Sequence, residues 1–102
     1  MKTLALLLPA FALVGCRTNS DPYRFSGSDG SSRQRAVVIH APDVGIGIAA
    51  TMVWMKERYS GWHEVTNHYE RVDGRLYYEV EVSRDVRTNR IYFDYSGFVP
   101  KD

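Results

Sequence analysis

The strictest constraint on this chain is a period-two alternation on either side of Asp73-Gly74. The stretch "RLYYEVEVS" (75–83) sets Leu76, Tyr78, Val80 and Val82 on one side of an extended strand and Tyr77, Glu79 and Glu81 on the other. "RIYFDY" (90–95) repeats the pattern, with Ile91, Phe93 and Tyr95 opposed to Tyr92 and Asp94. Alternation of this kind marks strands buried on one face, because a helical period would scatter the same residues around an axis. Asp73-Gly74 tolerates the positive φ of a two-residue hairpin turn. It joins the first stretch to "WHEVTNHYERV" (62–72), and Arg87-Thr88-Asn89 is the expected next turn. The pattern therefore predicts an antiparallel sheet with one covered face.

The cover comes from upstream. "AVVIHA" (36–41) is β-branched and apolar and reads as a strand. After Pro42, Asp43 is a credible N-cap for a helix from about Val44 to Tyr59. Ile48, Met52, Met55 and Tyr59 recur at i, i+4, i+7 and i+11, which predicts the stripe that faces the sheet. Gly45 and Gly47 weaken the first turn by roughly 1 kcal/mol each against Ala, so they are expected where another backbone comes close. Lys56 and Arg58 suit the C-terminal end of the dipole, and Ser60-Gly61 supplies the stop. The fold class predicted is α+β, one helix on a four-stranded antiparallel sheet in the order βαβββ, within residues 35–102. With no internal disulfide possible from a single cysteine, that core must hold by packing alone.

The cysteine stands at the end of the longest apolar run. Met1-Lys2-Thr3 is a short positive start, and Leu4 to Val14 is apolar apart from Pro9. That run has the length of a signal h-region and is too short to span a bilayer as a helix. Leu13-Val14-Gly15-Cys16 follows. A small residue before a scissile bond suits a narrow peptidase pocket, and a thiol after it is the best nucleophile this chain offers to an alkyl or acyl donor. The four residues resemble the lipobox of bacterial lipoproteins. The resemblance implies cleavage after Gly15, a lipidated Cys16 as the mature N-terminus, and permanent anchoring, since several acyl chains hold far more firmly than one. Asp after the cysteine is the usual inner-membrane retention signal in enteric members of that family. Arg17 here implies the outer membrane, with the domain facing the periplasm. The covalent lipid is the only attached group expected; no other cofactor is.

Residues 16–34 carry the lipidated Cys and then "RTNSDPYRFSGSDGSSRQ", rich in Ser and Gly and poor in apolar residues. This composition predicts a flexible tether, reaching on the order of 25 Å. Tyr23 and Phe25 interrupt it. The chain thus divides into a leader (1–15), an anchored linker (16–34) and a small domain (35–102).

The C-terminal part carries a second, weaker resemblance. Gly74, Tyr77, Tyr78, Glu79, Val80 and Val82, followed by Asp94, Ser96, Gly97 and Val99, are similar to the motifs of a PepSY-type domain. That module has a helix followed by three strands. The closing motif is one residue short here, and an extra strand precedes the helix. The resemblance implies a non-catalytic envelope module that restrains peptidases or binds peptides.

Chemistry-bearing constellations are sparse. His63 and His68, five apart on one strand, point to opposite faces unless a bulge intervenes, so no metal is expected. Ser60, Ser83 and Ser96 fall at turns and strand ends, where Ser is ordinary. Gly45-x-Gly47 lacks the third glycine and the βαβ context of a phosphate loop. The formal charge is +1, and loss of Lys2 with the leader balances it, so the domain has no electrostatic reason to seek nucleic acid. What stands out is Tyr77, Glu79, Glu81, Tyr92 and Asp94, gathered on the sheet face away from the helix. That face is expected to be open and solvated, with Arg75, Arg84, Arg87 and Arg90 nearby, and it is the candidate binding face. The expected role is a membrane-anchored, non-enzymatic module that binds an envelope protein or peptide. The alternative is a structural subunit of an envelope assembly that pairs through its sheet edge.

Overall fold

The computed structural model describes residues 21–99. The predicted leader, Gly15 and Cys16 lie outside the described residues. Five strands and one helix follow in order: β1 (Arg24–Gly27), β2 (Val37–His40), α1 (Val44–Arg58), β3 (His63–Val72), β4 (Arg75–Arg84) and β5 (Arg87–Asp94). They form one α+β unit, a five-stranded mixed sheet ordered β1-β2-β5-β4-β3 with the helix on one face.

Two features differ from the four antiparallel strands expected. First, β2 and β5 are neighbours and run parallel, with Val37 opposite Phe93 and Val38 opposite Asp94. The direction follows from counting reversals. The chain turns back through α1, returns along β3, and reverses twice more through the two hairpins, so β5 points the way β2 does. Second, β1 pairs antiparallel with β2, Phe25 opposite Ile39, although its residues read as linker. Polar composition hid a strand of four residues that is held by its neighbour's backbone rather than by an apolar pattern of its own. Phe25 packs on the core from that strand and Tyr23 from just before it.

The glycines of this segment explain how it lies so close. Gly27 and Gly30 adopt φ of 86° and 81°. A Cβ on Gly30 would meet Ile91 Cγ2 at 2.8 Å. The Gly30 carbonyl accepts from the Tyr92 N–H at 2.8 Å, which continues the pairing along β5 where β2 ends. The 28–36 segment thereby folds back against the sheet.

The hairpins form as the sequence predicts at one turn and shift at the other. Asp73 and Gly74, at φ of 52° and 82°, make the tight β3–β4 turn. The second turn falls at Asp85-Val86, with Asp85 at φ 58°, two residues earlier than expected. Asp tolerates the left-handed region, and Thr88 and Asn89 then pair with Ser83 and Val82.

The helix starts where predicted: the Asp43 carboxylate accepts from the Ile46 N–H at 2.9 Å. Its inward face matches the predicted stripe only in part: Met55 and Tyr59 pack against the core's margin. Gly47, Ala50, Thr51 and Trp54 are buried, while Ile48 and Met52 are exposed. Small residues were discounted by apolar counting, yet they let α1 approach the sheet and leave room for Phe98, whose ring occupies the space a Cβ on Gly47 would need. The core gathers Val37, Ile39, Trp54, Val80, Ile91, Phe93 and Tyr95. Trp54 meets Phe93 edge-on at 5.3 Å. At its centre Thr51 Oγ1 donates to the Gly47 carbonyl and lies 2.6 Å from the Tyr95 hydroxyl.

A single helix, about 10 Å across, cannot cover five strands spaced about 4.8 Å apart. Among the described residues none of the helices is long and apolar enough to cross a membrane.

Candidate functional site

The five residues of the predicted binding face do lie together on the side away from the helix, but that face is largely closed. Tyr77, Glu79 and Asp94 are buried, and Glu81 and Tyr92 are half-buried. The cover is Arg33, from the segment read as linker. Its guanidinium sits 5.7 Å from the Tyr77 ring centre and 5.9 Å from that of Tyr92. Arg33 Nη2 donates to Glu70 at 2.7 Å and lies 3.5 Å from Glu79. The expectation of an open, solvated face is therefore corrected. A chain that folds back at Gly27 and Gly30 brings a cation over two aromatic rings and a buried carboxylate.

Asp94 and Glu81 have ordinary structural duties. The Asp94 carboxylate accepts from the Ser96 N–H at 2.9 Å and pairs with Arg75 at 3.1 Å, which fixes the exit from β5. Ser96 in turn accepts from the Leu76 N–H. Glu81 faces its cross-strand neighbour Arg90 at 3.2 Å, an exposed pair that solvent screens.

One grouping escaped the sequence reading. His68, Glu70 and Glu79 each place a ligand atom within 4.8 Å of the others. His68 Nε2 lies 3.5 Å from Glu79. The legible signal was His68-x-Glu70, two residues on one face of a strand, with Glu79 opposite His68 once the hairpin is paired. These three would hold a divalent cation only by displacing Arg33, which already supplies positive charge to both carboxylates. The arrangement is an ion-pair network that fastens the 28–36 segment to the sheet.

His63 and His68 stand too far apart to share an ion. A bulge between Glu64 and Thr66 returns His63 to the face of His68, as joint ligation would need. Yet His63 pairs with Ser83 and His68 with Glu79, four positions along β4, about 13 Å apart. Ser26 Oγ lies 2.7 Å from His40 Nε2 across the exposed β1–β2 pair. Among the described residues the structure gives His40 no carboxylate partner to orient it, so the pair lacks the third member of a hydrolytic set.

The open surface lies elsewhere, on the helix side of β3 and β4. β3 is an edge strand whose ten residues are all exposed except Glu70 and Val72, which are half-buried. Beside it runs a groove of about 280 Å³ between the strands and α1, lined by Met52, Met55, Tyr59, Glu64, Tyr78 and Val80 among others. Met52 is 66% exposed and Tyr69 54%. Tyr69, Tyr78 and Tyr95 form a cluster, with Tyr69–Tyr78, Tyr78–Tyr95 and Tyr69–Tyr95 ring centres 4.8, 5.3 and 5.9 Å apart. Partial burial, with the Glu64 carboxylate and Tyr69 adding to it, pushes the Tyr78 phenol above its ordinary range. Of the stripe predicted to face the sheet, Met55 and Tyr59 pack against the margin of the core while Ile48 and Met52 are exposed, and Met52, Met55 and Tyr59 line this groove.

No family model, no curated protein and no solved structure matches the chain.

Proposed function

We propose that the chain is a small bacterial lipoprotein, cut after Gly15 and lipidated on Cys16, that holds a non-catalytic binding module at an envelope membrane. The outer membrane, on its periplasmic side, is the location that Arg17 favours. Its client is an envelope protein or peptide, the class that the PepSY-type resemblance also implies. The single observation that supports the binding role is the β3 edge. A ten-residue strand that pairs along only one of its edges among the described residues, beside a groove, offers main-chain hydrogen bonds for affinity and side-chain pockets for selectivity. The working surface is thus proposed to be β3 and the helix flank, in place of the face of Tyr77, Glu79, Glu81, Tyr92 and Asp94. The same edge favours the second reading, a structural subunit that pairs through its sheet.

Photo-crosslinking separates the two faces. A photoreactive residue at position 69 or at position 92 is introduced into the lipidated protein in its host membrane. Position 69 is expected to give protein adducts and position 92 none. Adducts from 92 alone would return the site to the Arg33-covered face.

A further inference from the structure

We infer that the occupant of the β3 edge is β3 of a second copy of this chain, paired antiparallel in a register centred on Tyr69. The inference rests on the reading of β3 as the docking edge and names its partner.

Three observations select this occupant and this register. The regular part of β3 is bounded by the bulge at Val65 and the turn at Asp73-Gly74, which leaves Thr66–Val72, with Tyr69 at its midpoint. A two-fold axis through that midpoint overlaps the whole regular segment with itself. Residues directly opposite in an antiparallel pair share a face, so Tyr69 meets its own copy, His68 meets Glu70 of the second copy, and Asn67 meets Arg71. Opposite or neutral partners face each other at each of these positions. The adjacent registers fail. Centring on Glu70 sets two carboxylates opposite each other, and centring on His68 sets two imidazoles opposite each other and drives the bulge into the pair.

Aromatic continuity is the third observation. Tyr69 is the exposed member of a cluster with Tyr78 and Tyr95, and the second copy's Tyr69 would extend it on the same side of the sheet. Glu64 adds a further contact: it accepts from the Asn67 amide, diagonal to the position that the second copy's Arg71 would take. The opposite edge of the sheet, β1, has only four residues and offers no comparable length. The result is a ten-stranded sheet with both helices on one side. The two grooves then face each other across the seam.

The test uses the lipidated full chain in detergent, where lipid occupies the Cys16 sulfur and an introduced thiol is the only free one. Tyr69→Cys is expected to oxidise to a covalent dimer, because directly opposite Cα atoms lie within disulfide reach. Asn67→Cys alone should stay monomeric under the same oxidation, as its copy is about 13 Å away along the strand. Mixed with Arg71→Cys chains, it should give a crosslinked dimer. Without introduced thiols, sedimentation equilibrium should report twice the chain mass. Asn67→Lys sets two like-charge pairs into each dimer and should weaken it about fivefold. Adding Arg71→Glu should restore it. A monomer at every concentration overturns the proposal, as does a dimer that crosslinks through Asn67→Cys alone and not through Tyr69→Cys. If the monomer still gives membrane adducts from position 69 with a different protein, only the second-copy proposal falls. If position 69 gives no adduct of any kind, the β3 reading falls with it.

Discussion

Arg33 reaches across the back of the sheet to within 3.5 Å of Glu79, whose side chain is 7% exposed. This cation covers the Tyr77, Glu79 and Tyr92 part of the face that alternation alone leaves open. It also converts the preceding segment from tether to structure, since Arg33 joins Glu70 and lies over Tyr77 and Tyr92 as well.

Removing that cation leaves a buried carboxylate with only His68 beside it. Loss of one partner of a fully buried pair costs 3–5 kcal/mol, and Arg33 is a third exposed, so Arg33→Ala is expected to cost about 2 kcal/mol. Arg33→Ala combined with Glu79→Gln should recover part of the loss, because no buried charge is then stranded. Urea denaturation of the three proteins checks the order.

Gly47 and Gly45 should respond to Ala in opposite ways. Both gain roughly 1 kcal/mol of helix propensity. At Gly45 the new methyl meets only the Asp43 carboxylate at 3.5 Å, so Gly45→Ala should stabilise by about 0.5–1 kcal/mol. At Gly47 it enters the Phe98 ring, which is buried against Tyr95 at 4.7 Å. Overpacking costs about 1–3 kcal/mol, so Gly47→Ala should be net destabilising. Thermal midpoints of the two variants decide it.

Tyr95 predicts a loss of stability in alkali. Burial pushes its phenol far above the ordinary 10.0, against a smaller opposite effect from the Thr51 hydroxyl. The folded state therefore keeps the proton where the unfolded chain sheds it. Stability is fully present below pH 10 and falls as pH rises above it. Tyr95→Phe should flatten much of this fall; Tyr78, raised as well, retains a share. Denaturant midpoints between pH 8 and 11 measure both slopes. At neutral pH, Thr51→Val should cost about 1 kcal/mol through the lost hydroxyl pair.

The anchor has its own check. The intact mass of the mature protein from its host should correspond to a chain beginning at Cys16 with acyl groups attached. A mass retaining Met1, with an unmodified thiol, would remove the membrane from the account.

Much of the fold was legible because alternation reports a local cause. Leu76, Tyr78, Val80 and Val82 face the helix, and Asp73-Gly74 turns the hairpin, as their side chains dictate. What could not be read depended on distant partners. Arg24–Gly27 becomes a strand only because β2 offers its edge, and nothing local announces that. The helix face was misassigned because apolar counting favours Met52 over Gly47 and Ala50, while close packing against Phe98 and the sheet favours the small residues. The five-residue face was correctly grouped but incorrectly exposed, for Arg33 covers it from a segment whose composition suggests no structure. The β3 edge could be named only after the strand order was known.

Amide hydrogen exchange along β3 tests the central claim most directly. In the lipidated protein in its own membrane, Thr66–Val72 should be protected, and in detergent diluted until the chain is monomeric the alternate amides that face out of the sheet should exchange fast. Equal and rapid exchange in both settings would contradict the claim that this edge is the working surface.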